Sequence, residues 1–476
     1  VDELAFEHHL TSPQGRGAPL PGAVSAEVGG GACCDTVRIW LCTNGQVVTG
    51  AGFEAEGCGA ATAAGSAAVT LVRGRSLLEA ARIGAREIAA ELGGLSPGKL
   101  HAAEVTGDAL ARALGRAAKE RAQLSPAATR ALVAMSGGVD SAVAALLCAR
   151  EAETVAVTLE LWADPENDAE RSCCSASAVS QARALAHGMG LPHITLDLRD
   201  EFRAGVVEPF IAGYAAGETP NPCVGCNGHV RLDAMLELAE RLGCDALATG
   251  HYARVEDGLL RAAADPAKDQ TYMLAALSPQ SLARMRFPLG KLTKPEVRGI
   301  AAAAGLPVAA KRDSQDLCFL AGTDRARFLE RHGGIRRRPG HVVDRAGHVL
   351  ASHDGHERFT VGQRRGTGVA ATGDALYVLE KDAAGNRVVV GPREALLTRT
   401  VRVRGARLHR DGAEVDRVKL RYRSKPLAAR IAGNPEAGRH RSLTLELEDP
   451  VAGAAPGQLA CLMAGELVIG WGVIAP

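Results

Sequence analysis

Two cysteines stand three positions apart in TPNPCVGCNGH, residues 219–229, a stretch stiffened by Pro220 and Pro222. A C-x-x-C pair serves as half of a zinc site, a redox couple, a pair of cluster ligands or a sulfur carrier, since each needs thiolates at fixed spacing. The other chemical signal is LVAMSGGVDSAVAALL, residues 132–147: an apolar strand, the turn Ser136-Gly137-Gly138-Val139-Asp140-Ser141, then a helix. Paired glycines let the backbone approach a phosphate, and N–H groups at a helix start hold an anion. Ser136 and Ser141 add hydroxyl donors. Asp140 repels phosphate and is expected to orient the loop or a Mg²⁺ ion. No Lys follows the glycines, so this is not a Walker A loop.

Placing these groups requires a layered scaffold, and the flanking pattern supplies one. From Arg130 the chain alternates LVAM, TVAVTLEL and HITLDL strands with AVAALLCARE and SAVSQARALAHGMG helices. A further helix is expected over 230–243 and a strand at DALATG, which together argue a parallel α/β sheet. Cys226 is then expected just ahead of the 230–243 helix. Upstream, an Ala-rich helix over 107–122 ends at the Ser-Pro punctuation of LSPAATRA. Downstream of Cys318, helical FLERHG gives way to short alternating segments (HVVD, HVLAS, ALYVLEK, RVVVG). From Thr398, VRVRGARL, VKLRYRS, LAARIAG, SLTLELED, GQLACLM and LVIGWGV read as strands of a small barrel or sandwich. The expected division is 1–122, a linker over 123–130, 131–325, 326–397 and 398–476.

The 476 residues suit several cores rather than one. VDELAFEHHLTSP lacks the apolar run of a signal peptide, no apolar stretch approaches membrane-spanning length, and a cytoplasmic location is expected. In a reducing compartment the 12 cysteines are core thiols, metal ligands or redox groups rather than a disulfide framework. Cys42, Cys148, Cys244 and Cys461 lie in apolar runs and read as core, while Cys173-Cys174 is ambiguous. A net charge of +1 gives no overall nucleic-acid signature, although arginines cluster over 331–365 and again over 417–430.

The strand–SGGVDS–helix unit resembles the PP-loop of ATP pyrophosphatases, which split ATP into AMP and pyrophosphate while adenylating a substrate oxygen. TPNPCVGCN, ATGHYARV (248–255), DPAKDQTYML (265–274), DSQDLCFL (313–320) and FTVGQRRGTGV (359–369), in that order, closely resemble the tRNA-specific 2-thiouridylases. The resemblance runs from about Arg130 to the C-terminus. It implies an adenine nucleotide alpha hydrolase-like PP-loop domain, a small central tRNA-binding domain and a C-terminal β-barrel. By the same resemblance Cys226 is the nucleophile and Cys318 the persulfide carrier, joined by a disulfide after sulfur transfer. ATP binding is implied for Ala134, Met135, Ser136, Gly137, Gly138, Val139, Asp140, Ser141, Leu159 and Gly250. Contacts to tRNA are implied for Asn221, Pro222, Cys223, His251, Lys268, Asp269, Gln270, Arg421, Tyr422 and Gln458. Many members carry Asp where this chain has Cys223. Cys223, Cys226 and Cys318 therefore form a candidate [4Fe–4S] ligand set as an alternative to a persulfide relay.

Residues 1–122 lie outside that pattern. ACCDTVRIWL (32–41), AEGCGAATAAGSAAV (55–69) and LSPGKLHAAEVTGDAL (95–110) resemble the α+β NifU/IscU-type iron–sulfur scaffolds. The implied metal ligands are Cys33, Asp35, Cys58 and His101. Ala102 stands where the family has its third cysteine, and Cys34 replaces a glycine. The combined expectation is ATP-dependent 2-thiolation of a tRNA wobble uridine, using ATP and Mg²⁺. Its expected partners are tRNA and a sulfur donor such as a cysteine desulfurase or relay protein. The alternative is an iron–sulfur or sulfur carrier gated by nucleotide.

Overall fold

The computed structural model describes residues 3–29, 34–164, 166, 175–312, 317–369 and 375–476. Helix α1 (Glu3–Thr11) precedes three strands, β1 (Val24–Gly29), β2 (Thr36–Thr43) and β3 (Val48–Glu56), which pair antiparallel in that order. Helices α2 (Gly59–Val72), α3 (Leu77–Ala80), α4 (Ala85–Glu91) and α5 (Leu100–Arg121) complete this α+β unit. Small residues along α2 permit close packing: a Cβ on Gly65 would lie 2.2 Å from the Phe53 ring. The helix expected over 107–122 starts earlier, at Leu100, directly after a 3₁₀ turn over Pro97–Lys99.

The second unit contains β4 (Ala127–Ala134), α6 (Val139–Ala149), β5 (Glu153–Glu160), α7 (Ala176–Gly188), β6 (His193–Asp197), α8 (Arg199–Phe202) and α9 (Glu208–Ala215). It continues through α10 (Pro222–Gly225), a π-helical turn at Cys226–Arg231, α11 (Leu232–Arg241) and β7 (Cys244–Thr249). Next come the hairpin β8 (Arg254–Glu256) and β9 (Leu259–Arg261), short helices α12 (Thr271–Leu274) and α13 (Pro279–Ala283), β10 (Met285–Arg286) and α14 (Lys294–Ala303). The sheet order is β10-β7-β4-β5-β6, every neighbouring pair parallel. Strand β5 is buried almost throughout, as a strand covered on both faces must be. Where a linker is expected, over 123–130, the chain is hydrogen-bonded to the second unit and becomes strand from Ala127. Leu124 and Ala127 donate backbone hydrogen bonds to Arg241 and Gly243 at 2.9 and 3.0 Å, and β4 already pairs with β7 at Ala127.

Strand β6 forms one edge of this sheet, and the first unit covers it. The His193 amide donates to the Ala81 carbonyl at 2.9 Å, so an edge donor is met by the neighbouring unit. Helix α5 lies so close that a Cβ on Gly115 would sit 1.7 Å from the Thr195 carbonyl oxygen. Further along, Lys119 donates to the Asp197 carbonyl at 3.0 Å, so α5 runs in the same direction as β6. Arg112 pairs with the buried Glu160 at 2.8 Å, and Arg183 with Asp108.

Helix α15 (Arg325–Gly333) leads to a four-stranded sheet of β11 (Gly340–Val343), β12 (Val349–His353), β13 (Tyr377–Asp382) and β14 (Arg387–Gly391), in the order β12-β11-β14-β13. The last unit has β15 (Leu397–Leu408), β16 (Arg417–Lys419), β17 (Leu427–Ile431), β18 (Gly438–Ala452), β19 (Leu459–Ala464) and β20 (Leu467–Ile474). The order β15-β18-β17-β16-β19-β20, closed by a β15–β20 pairing, makes a six-stranded barrel. The hairpin β8–β9 extends that sheet from β20. The strand expected at VKLRYRS stops at Lys419: Ser424 turns back to the Arg421 carbonyl at 3.2 Å, and Pro426 has no N–H for a ladder. No helix among the described residues is long and apolar enough to cross a membrane.

The approach of α5 to β6 sets the first test. Gly115→Ala is expected to cost about 1–3 kcal/mol through overpacking against the Thr195 carbonyl, measured by urea unfolding. Ala111→Gly in the same helix, also buried, is expected to cost about 1–2 kcal/mol, from helix propensity and the loss of one buried methyl.

Candidate functional site

The Ser136–Ser141 loop joins β4 to α6 at the carboxyl end of the sheet. The Ser136 amide donates to Ser141 Oγ at 3.1 Å, and Ser141 Oγ donates to the Gly138 carbonyl at 3.1 Å. Gly137 takes a φ of +69°, which favours glycine. Gly138 caps α6 without a side-chain hydrogen bond, so no side chain covers the first helical N–H groups. Lys294 from α14 reaches both carboxylate oxygens of Asp140, at 2.7 and 2.8 Å, and the Tyr252 hydroxyl donates to it at 2.9 Å. Asp140 is thereby tied to α14 and to the segment after β7. Gly250 closes the other side; a Cβ there would lie 2.8 Å from the Asp140 and Ser141 backbone.

Beside the loop is a cavity of about 360 Å³. Ala134, Met135, Ser136, Asp140, Ser141, Leu159 and Gly250 line one part of it, and Pro222, Cys223, Cys226 and Cys318 another. Cys226 is not ahead of a helix. It is buried within a continuous helical run, at the first position of the π-helical turn between α10 and α11. Asn221 starts that run, its Oδ1 accepting from the Cys223 amide at 3.1 Å, with Pro222 at the first helical position, where a missing N–H is harmless. Cys318 opens a 3₁₀ turn held by the next residue. Phe319 packs against Phe202, Phe210 and Phe328 with ring centroids 5.8, 5.1 and 5.1 Å away. Burial pushes the Cys148 thiol up to about 11 and those of Cys244 and Cys461 up to about 12, consistent with inert core cysteines.

The first unit holds a separate cluster. Ligand atoms of Asp35, Cys58 and His101 lie within 4.8 Å of one another, and no other such trio occurs among the described residues. Asp35 accepts from the Cys58 amide at 2.8 Å and thiol at 3.2 Å, and His101 Nε2 is 3.0 Å from it. Burial alone would raise the Asp35 carboxyl; hydrogen bonds from Cys58 and His101 outweigh it and lower the pKa. The other imidazole nitrogen, Nδ1, lies 3.0 Å from the Gly98 carbonyl, an arrangement that orients a metal-binding histidine. A Cβ on Gly57 would collide with Asp35 Oδ1 at 2.0 Å, so only glycine fits there. Cys34 is exposed at φ +53°, a backbone suited to the glycine it replaces, and Ala102 is fully buried. Cys33 and Cys173-Cys174 lie outside the described residues. The donors present fit a tetrahedral ion such as zinc, with Ala102 contributing no ligand.

Family models match four consecutive parts of the chain. They are a NifU-like N terminal domain (5–123), a tRNA methyl transferase HUP domain (129–322), a tRNA methyl transferase PRC-barrel domain (326–392) and an aminomethyltransferase beta-barrel domain (398–474). The tRNA-specific 2-thiouridylase MnmA of Zymomonas mobilis is 42% identical, covering 73% of this chain and 93% of its own. The chain belongs to the tRNA-specific 2-thiouridylase family. Its Thermus thermophilus relative is 41% identical over 72% of this chain and 94% of its own. The bifunctional protein NifU/MnmA of Rubrobacter xylanophilus is 44% identical over 98% of this chain and 97% of its own, so the thiouridylase here occurs fused to a NifU-like unit.

Within this thiouridylase the residues implied for tRNA divide into two sets. Pro222, Cys223, His251, Gln270 and Tyr422 line the cavity. The rest stand elsewhere: Asn221 caps α10, Gln458 donates to the Thr219 carbonyl at 2.6 Å, and Arg421 donates to the Ala452 and Gly453 carbonyls. Asp269 pairs with the buried Lys419 at 3.1 Å and accepts from Thr271, so its carboxylate braces the barrel against the catalytic unit; Lys268 precedes it in a turn. Burial, then the nearby Arg231 charge, depresses the His251 imidazole to about 3, keeping it neutral at physiological pH. Arg231 was not legible as a site residue. It lies five positions beyond Cys226 across the π-helical turn and is the one Lys or Arg lining the cavity among the described residues. In an α-helix that spacing places the two on different faces; the i→i+5 register brings them round together.

An ion-pair network ties the loop after β5 to α15, close to Cys318. Asp164, with no exposed side chain, accepts from Arg331 at 2.8 Å and lies 2.8 Å from His332 Nε2. Burial opposes ionisation of Asp164, but Arg331, the Glu166 amide and His332 together lower its pKa from 3.8 to about 2. Because the folded-state value is depressed, this stabilisation is complete above about pH 4 and disappears as pH falls towards 2. Asp164→Asn is expected to lower stability at pH 7 by about 3 kcal/mol. The difference from the parent should shrink steadily below about pH 4 and be mostly lost by about pH 2, as followed by denaturant unfolding across pH.

Proposed function

We propose that this chain replaces O2 of a tRNA wobble uridine with sulfur at the expense of ATP. The observation that supports this reading is that the phosphate-loop residues Ser136, Asp140 and Ser141 line the same cavity as Cys226 and Cys318. A uridine carbonyl oxygen is a poor leaving group. Attack of O2 on the α-phosphorus of ATP releases pyrophosphate and leaves an adenylate, so that the oxygen can depart as part of AMP. The outer sulfur of a Cys318 persulfide attacks C2, AMP leaves, and the Cys226 thiolate attacks the inner sulfur, forming a Cys226–Cys318 disulfide. An external thiol reduces that disulfide. A cysteine desulfurase or relay protein reloads Cys318. Arg231, at the cavity wall, supplies the positive charge that favours a thiolate. The methyl-transfer wording attached to two of the family models gives the paired cysteines no task, whereas thiolation uses both.

Cys223 lines the cavity too, which favours a second reading for the sulfur source. Cys223, Cys226 and Cys318 would hold a [4Fe–4S] cluster whose open iron supplies bound sulfide. Asp35, Cys58 and His101, with Cys33, would bind metal in the NifU-like unit.

Cys226→Ser and Cys318→Ser are each expected to abolish 2-thiouridine, read by mass spectrometry of digested tRNA, while tRNA-dependent pyrophosphate release partly survives. Thiolated tRNA from Cys226→Ser sinks the assignment. Absence of tRNA-dependent pyrophosphate release would instead favour a nucleotide-gated carrier. Full activity of iron-free aerobic protein with a persulfide donor rejects the cluster; activity that appears only on anaerobic iron–sulfide reconstitution rejects the relay.

A further inference from the structure

We propose that Lys311 binds the β- and γ-phosphates of ATP at the Ser136–Ser141 loop and retains pyrophosphate after adenylation; this rests on the reading of that loop as an ATP site. A triphosphate carries about four negative charges, and backbone N–H groups supply only partial positive ones. Two lysines reach the loop. Lys294 is buried and bound through both oxygens of Asp140, so its charge is spent on a carboxylate. Lys311 is exposed and differs in its contacts: its Nζ donates to the Gly137 carbonyl at 3.0 Å and to Gln181 Oε1 at 3.4 Å, both neutral acceptors. Among the described residues no carboxylate pairs with Lys311. Its ammonium therefore stands at the turn where α6 begins, on neutral acceptors among the described residues.

The placement of Lys311 is built rather than incidental. Arg298 on α14 donates to the Ala309 and Lys311 carbonyls at 2.7 and 3.0 Å, clamping the segment that carries it. Helix α14 also supplies Lys294. One helix thus sets both cations, Lys294 neutralising the loop's own acid and Lys311 standing at the Gly137 carbonyl of the turn. An ammonium that leaves a carbonyl for a phosphate oxygen exchanges a neutral acceptor for a charged one, the stronger partner.

The test uses the full chain without tRNA and follows pyrophosphate, ATP and AMP by titration calorimetry. Lys311→Gln is expected to weaken pyrophosphate and ATP about tenfold or more, with AMP changed less than twofold and the unfolding temperature unaltered. Lys311→Arg is expected to recover most of the loss. Unchanged pyrophosphate affinity in folded Lys311→Gln overturns the proposal, as does an equal loss for AMP. Should the variants not fold, acetylation of Lys311 in the parent protein, quantified by peptide mass spectrometry, decides: protection by pyrophosphate supports the role, and undiminished labelling overturns it. If the parent binds neither ATP nor pyrophosphate, the ATP-site reading fails first.

Discussion

A carboxylate inside a phosphate-binding turn is an electrostatic contradiction, and the ion pair of Asp140 with Lys294 resolves it. Without the lysine, the acid would repel the polyanion that the turn is shaped to hold. With it, Asp140 becomes a strut, tying the loop to α14 and, through Tyr252, to the segment after β7. The pair joins residues 154 positions apart. Its geometry exists only once α14 has packed on α6 and β7 has set Gly250 against the loop. The nucleotide site is thus a product of the whole α/β unit, although its most visible element is six residues long.

That division explains what the sequence disclosed. Strand β4, the turn and α6 were legible because an apolar run, paired glycines and a helix start are local signals. Parallel strands β5 and β6, the helix over 232–241 and most barrel strands were legible from periodicity in the same way. Lys294 and Arg231 were not legible, since an isolated lysine or arginine carries no local mark of the acid or cavity it will face. The sheet pairing inside the expected linker at 123–130 was hidden for a related reason. Ser-Pro punctuation marks a break in helix, and it does not reveal that the chain beyond it joins a sheet against residues near 241–243.

Cys226 shows a finer failure. Proline-rich sequence around 219–229 reads as a turn, yet Pro222 occupies the one helical position where its missing N–H is harmless, and the chain continues as helix. The extra residue accommodated by the π-helical turn then rotates the downstream helix, so that α11 keeps its apolar face in the core while Arg231 is drawn to the cavity. Such turns exchange regular hydrogen bonding for a change of facing. Periodicity assuming 3.6 residues per turn misplaces every side chain across that point.

Helix α5 carries a consequence for how the two halves of this chain share work. It begins beside His101, runs the same way as β6 and reaches the carboxyl end of the sheet near Lys119. At 1.5 Å per residue, its axis separates those two levels by about 27 Å. The Gly115 contact leaves no slack for the helix to pivot. The Asp35, Cys58 and His101 cluster is therefore held at one end of α5 and the Lys119 contact with β6 at the other while the interface is intact. Fusion in this protein enforces equal numbers and a common location of the two units.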